Sequence, residues 1–202
     1  KNMRTFYLEQ QKKVREFSEA IRNGSITAPS GKPFTDVVQI GIGGSDLGPR
    51  ALYLALKAWG ERNNKLKLRA HFISNVDPDD AAAVLSALDL STTLFILVSK
   101  SGTTLETLTN ERFVGQFLQA AGLNPAKQMV AVTSESSPLA NNPSYLASFY
   151  MDDFIGGRYS STSACGGAVL SLAFGADTFD ALLAGATAAD KQALEPSHTE
   201  NA

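Results

Sequence analysis

Cysteine is almost missing from this chain: Cys165 stands alone among 202 residues. A single thiol excludes an internal disulfide framework and suits a reducing compartment. Long hydrophobic runs are missing too. No stretch approaches the ~18 consecutive apolar residues that a membrane span needs, and Lys1 to Arg15 contain no hydrophobic signal core. The cytosol is therefore the expected location. Excess charge of one sign is also lacking. The formal net charge is −2, which excludes a general attraction to nucleic acid or anionic membrane, so an anion would need a local site. An initiator methionine is absent, and the sequence ends on polar Ser197 to Ala202. The chain reads as an excerpt.

What is present is the composition of a globular domain, 44% hydrophobic and 19% charged. The length suits one domain with a substantial core. Met3, Tyr7, Val14, Phe17 and Ile21 recur at helical spacing, which predicts a helix over about 3–22, closed by Asn23-Gly24. Short apolar runs follow at Val37–Ile40, Ala70–Ile73, Leu94–Val98 and Met129–Val132, with a weaker one at Ala147–Met151. Helical patterns over Leu47–Trp59, Asp79–Leu88 and Thr104–Ala121 separate them, and two more are expected over about 160–174 and 178–194. Near-continuous apolar strands alternating with helices indicate parallel strands buried on both faces. With right-handed crossovers the expected fold is α/β, a three-layer α/β/α sandwich around a five-stranded parallel sheet. Ligands of such sheets sit beyond the carboxyl ends of the strands.

The turn after the first strand reads Gly41-Ile42-Gly43-Gly44-Ser45-Asp46-Leu47-Gly48-Pro49. Its glycines allow positive φ and close approach, and Ser45 or Asp46 is placed to cap the following helix. Exposed amides at a helix start favour an anion. The spacing is neither the dinucleotide fingerprint nor a P-loop, because Asp46 and Pro49-Arg50 occupy the wrong places. A tight turn needing glycine for geometry alone also fits. The turn after the third strand, Ser99-Lys100-Ser101-Gly102-Thr103-Thr104, packs four hydroxyls, a lysine and a glycine into six residues. Hydroxyls and amides can converge on a phosphate, and lysine adds a point charge. Thr103-x-x-Glu106 matches a capping box, so a well-capped helix also fits, but two turns rich in hydroxyls and glycine after two parallel strands favour the anion site. The third turn is Gly156-Gly157-Arg158-Tyr159-Ser160. Arg158 either neutralises an oxyanion or pairs with Asp152 or Asp153.

Ile40–Pro49, Ser99–Thr107 and Gly156–Ser160, in that order, resemble three motifs of the glucose-6-phosphate isomerase family. The resemblance runs from the first helix to the end of the chain. It implies a sugar isomerase fold over 1–202, and a phosphate held by Gly44, Ser45 and the run Ser99, Lys100, Ser101, Gly102, Thr103 and Thr104. It further implies that Arg158 stabilises an enediolate during proton transfer between C2 and C1, with no metal or redox cofactor. Animal members carry threonine and phenylalanine where this chain has Ser101 and Gly102; the retained hydroxyl fits a bacterial-type member. The family is homodimeric, and its base and ring-opening residues lie beyond the point where this chain stops.

Local substitutes for that base are poor. His71 falls inside a strand and reads as a core or sheet-face residue, and His198 lies in the polar tail. Glu106 suits capping, Cys165 sits in a small-residue helix as packing, and Trp59 needs no other role. The chain alone is therefore expected to be inactive or nearly so. Other readings are a non-catalytic sugar-phosphate regulator on the same fold, or a related isomerase such as a glucosamine 6-phosphate synthase domain or a mannose-active relative. No basic helix-turn-helix accompanies the chain to support the regulator, and Gly156–Ser160 fits the other isomerases less well.

Overall fold

The structure, a computed structural model, describes residues 3–197. Five strands form one sheet: β1 (Asp36–Ile40), β2 (Arg69–Ile73), β3 (Thr93–Val98), β4 (Met129–Thr133) and β5 (Ala147–Tyr150). Their order is β2-β1-β3-β4-β5 and every neighbouring pair is parallel. The inner strands β1, β3 and β4 are buried at every position, which is why they lack apolar–polar alternation.

Alternate residues of each strand feed opposite faces. On one, Val37, Leu94, Ile96, Val130 and Val132 pack with Val14, Tyr53, Leu170, Phe174 and Phe179. These come from α1 (Met3–Arg22), α2 (Leu47–Arg62), α5 (Ala164–Phe174) and α6 (Ala176–Ala193). On the other, Val38, Ile40, Phe95, Leu97 and Ala131 pack with Leu85, Val114 and Leu118 from α3 (Pro78–Ser86) and α4 (Leu105–Ala120). The result is the expected three-layer α/β/α sandwich. No helix lies between β4 and β5; there Leu139 and Tyr145, from the connecting segment, fill the second core.

The sequence places the elements well and their ends less well. α1 ends as expected, with the amides of Asn23 and Gly24 donating to Glu19 and Ile21 carbonyls. The helix expected from residue 160 begins later. Residues Gly157–Thr162 form a 3-10 turn, and Ser163 then caps α5 by accepting from the Cys165 amide at 3.2 Å. All eleven residues of α5 are buried, because the helix lies between the sheet and α1, α2 and α6. Arg22 closes its far end, Nη1 donating to the Leu172 and Ala173 carbonyls at 3.0 and 2.8 Å. Cys165 is buried as expected, and that burial pushes its thiol up to about 12.

His71 is half-buried on β2 and not a core residue. Its Nε2 lies 2.9 Å from the Asp36 carboxylate, which also accepts two hydrogen bonds from Arg69 (2.9 and 2.8 Å) and one from Thr35 (2.8 Å). Burial pushes the Asp36 carboxyl upward, but those hydrogen bonds outweigh it and hold the group below its ordinary value. Asp36 and Arg69 open their strands, so this cluster lies at the amino end of the sheet. His198 falls outside the described residues. Among those described, no helix is long and apolar enough to cross a membrane.

Candidate functional site

β2 lies on one side of β1 and β3 on the other, so successive connections leave β1's neighbourhood in opposite directions. The sheet's switch point is therefore the gap between the carboxyl ends of β1 and β3. The first two motif turns start there.

After β1, Gly43–Ser45 make a 3-10 turn and α2 follows. Gly43 alone of the first three glycines takes a positive φ, +58°. Gly44 serves closeness instead, since a Cβ there would land on the backbone of Gly157. Buried Gln39 steadies the turn by donating from Nε2 to the Ser45 carbonyl at 2.7 Å. Neither expected cap forms. Asp46 occupies the N-cap position but makes no capping bond; its carboxylate accepts from Arg50 Nε at 2.9 Å. Burial raises the Asp46 carboxyl, and Arg50 only partly opposes this. Ser45 lies one residue too early to cap, and its hydroxyl has no partner among the described residues.

After β3, Ser99 is 2% exposed. Its Oγ accepts from the Gly102 amide and donates to Thr104 Oγ1, both at 3.2 Å. Ser101 Oγ accepts from the amide and hydroxyl of Thr103 at 3.2 and 3.0 Å. Gly102 has φ +67°, and a Cβ there would collide with Ser137 Oγ. The expected capping box is absent. Thr104, not Thr103, is the N-cap of α4, so Glu106 falls one position short of reaching back. Thr104 spends its side chain on Ser99 and does not cap. Among the described residues, the amides of Lys100, Ser101 and Thr104 have no hydrogen-bond partner.

The third turn is bound to both others. Ser160 Oγ lies within donating distance of the Gly44 and Gly157 carbonyls, 3.2 and 2.7 Å. Lys100 Nζ donates to the Asp153 carbonyl at 2.6 Å and to the Ile155 carbonyl at 2.9 Å. Arg158 lies between these attachments, is exposed, and makes no ion pair among the described residues. The expected alternative, a pair with Asp152 or Asp153, does not form. Three segments far apart in sequence thus meet, and among the described residues they carry free amides, hydroxyls and an unpaired guanidinium.

The family model for phosphoglucose isomerase matches residues 2–202. The chain belongs to the phosphoglucose isomerase family. It is 67% identical over 201 residues to glucose-6-phosphate isomerase of Treponema denticola, covering 100% of this chain and 38% of that protein. A crystal structure of a glucose-6-phosphate isomerase from Chlamydia trachomatis superposes with a TM-score of 0.83 at 44% identity, covering 93% of this chain and 34% of that one. A hypothetical protein from Thermus thermophilus, TT0462, gives 0.76 at 33% identity, covering 96% and 43%. The chain therefore spans less than half the length of these relatives.

Sequence reading overlooked the anchoring roles of Gln39 and of Lys100 Nζ. A lone amide in the apolar run Val37-Val38-Gln39-Ile40 was the available signal for the first. No local pattern announces the second, whose partners lie 53 and 55 residues away. A cavity of about 740 Å³ lies apart from the β1 and β3 turns. It is a mainly apolar groove between α1, α5 and α6, lined by Tyr7, Val14, Phe179 and Leu183 and reaching Tyr159.

Proposed function

We propose that this chain is the sugar-phosphate-binding part of a cytoplasmic, homodimeric glucose-6-phosphate isomerase, folded as a single sugar isomerase domain over 1–202. The observation that carries the reading is the meeting of free amides at Lys100, Ser101 and Thr104 with Gly44, Ser45 and Arg158 around one switch point. A phosphate dianion there replaces missing partners with charge-assisted hydrogen bonds, helped by the starts of α2 and α4. Gly44, Ser45, Ser99, Ser101, Gly102, Thr103 and Thr104 hold it through hydroxyls and amides, and Lys100 contributes its amide.

With the phosphate so fixed, the sugar extends toward Arg158. As a proton moves between C2 and C1 of glucose 6-phosphate, negative charge builds on the substrate oxygen, and the unpaired guanidinium stabilises that enediolate. Isomerisation between adjacent carbons balances without an oxidant or a metal. It does need a base. His71 is engaged with Asp36 at the opposite end of the sheet, Cys165 is buried with its thiol held protonated, and Glu106 is exposed on α4. None of them is placed to serve, so the base comes from polypeptide outside this chain.

Calorimetric titration with glucose 6-phosphate and fructose 6-phosphate, beside a coupled isomerase assay, tests this. Binding without turnover is expected, and the Ser99→Ala/Thr104→Ala variant should bind at least about tenfold more weakly, as loss of hydrogen bonds to a charged group dictates. Turnover by the chain alone would mean that a local residue is the base. Equal binding by the variant would remove the phosphate from the β3 turn.

A further inference from the structure

We infer that Lys100 is a positioning residue, whose ammonium fixes the segment carrying Arg158 against the phosphate turn and does not itself hold phosphate. The inference rests on the functional reading above. An ammonium has three donors. Two of Lys100's are committed to the Asp153 and Ile155 carbonyls at 2.6 and 2.9 Å, alternate residues of one short segment. A charged donor straddling two carbonyls makes a directional clamp, unlike a solvated lysine that sweeps a volume.

The other end of this lever is also anchored. The Lys100 carbonyl accepts from the Ser134 amide at 3.0 Å and from Thr133 Oγ1 at 3.3 Å. Thr133 Oγ1 also donates to the Ser99 carbonyl at 2.7 Å. The clamp therefore references the Arg158 segment to β4 as well as to the phosphate turn. Gly157, just before Arg158, and Ser160, two residues after it, rest on Gly44. Lys100 thus fixes the approach to Arg158 at residues 153 and 155, and the Gly44 contact fixes the turn around Arg158 itself. Removing the clamp loosens that approach, where Ser136 Oγ still donates to Asp153 Oδ2 at 3.1 Å. The β1 and β3 turns, with their hydroxyls and unpaired amides, stay as they are.

The test is Lys100→Met in full-length enzyme that contains this chain, because methionine keeps the apolar stem and deletes the donors. The kcat should fall at least about tenfold, since a misplacement of ~1 Å in a catalytic group is enough for that, while KM and the inhibition constant of sorbitol 6-phosphate change less than about threefold. Added to Arg158→Lys, the same change should cost less than about threefold more in kcat, because the group it positions is already lost. Lys100→Arg, which keeps charged donors, should recover part of kcat. A tenfold rise in the sorbitol 6-phosphate constant with kcat preserved would make Lys100 a phosphate ligand and overturn the inference. So would full additivity with Arg158→Lys. Amide exchange in residues 153–158 separates this from the functional reading. It should quicken about tenfold in Lys100→Met whether or not the protein turns over sugar phosphates, and unchanged exchange would reject the clamp.

Discussion

Two pairs of helix starts in this molecule are built differently. α3 and α5 begin under side-chain caps. The Asp77 carboxylate accepts from the Asp79 and Asp80 amides at 2.9 and 3.4 Å, and Ser163 does the same for Cys165. α2 and α4, which open at the switch point, begin bare. Yet Asp46 and Thr104 are residue types that cap well, and both have been turned elsewhere, to Arg50 and Ser99. α6 also lacks a side-chain cap, but its cap residue is Gly175, which has none to offer. A cap is worth ~1 kcal/mol, so leaving two out where two were available gives up stability that the fold could have had. What is gained is two positive helix ends without side-chain caps, both following the neighbouring strands β1 and β3. The contrast separates helix starts closed by a side chain from those left without one.

The largest blow to the comparison should come from Gly44→Val. Its side chain would push Gly157 off the β1 turn, dispersing the site and weakening sugar-phosphate binding by about 100-fold, with overpacking costing ~1–3 kcal/mol. Calorimetry and a thermal melt read both, and intact binding would show that the Gly44–Gly157 contact does not assemble the site. Thr104→Asp sharpens the contrast by giving α4 the cap it lacks. Stability should rise by up to ~1 kcal/mol while binding weakens at least about tenfold through repulsion of the phosphate. A higher melting temperature with undiminished binding would place the phosphate away from the α4 start.

The amino end of the sheet supplies a control of opposite kind. Asp36 is held below its ordinary carboxylate value, so above that range it contributes stability, and the contribution disappears as pH falls through its lowered folded value. Asp36→Asn should lower the urea midpoint at pH 7, flatten the acid-side loss of stability, and leave sugar-phosphate affinity within about twofold, since the site lies at the other end of the strands. An unchanged acid slope would remove Asp36 from the pH response. The smallest effect is expected from Ser163→Ala. Loss of the α5 cap should cost ~1 kcal/mol in a denaturation curve and shift binding less than about twofold. A binding defect as large as that of Thr104→Asp would erase the distinction between closing and open helix starts.

Much of the fold was legible because its signals are local. Leu94–Val98 is apolar at every position and bounded by polar turns, so it could be read as a buried strand without knowing its neighbours. The α5 start was misjudged because small residues around 160–163 suit a helix as well as the 3-10 turn they form, and only packing on Gly44 separates the two. The Thr103–Glu106 capping box failed for a similar reason. Its spacing is right, but the Ser99–Thr104 hydrogen bond sets the helix start one residue later.

By itself, then, the sequence determined the parallel sheet, the location of the three turns and the donor groups they contain, because strand period and residue type act over a few neighbouring positions. The tertiary structure alone decided which donors stay free, why Gly44 must be glycine, and that Lys100 spends its charge on backbone carbonyls. Those outcomes depend on contacts such as Gly44 with Ser160, 116 positions apart, and a pairing across that distance leaves no trace in the local pattern of either segment.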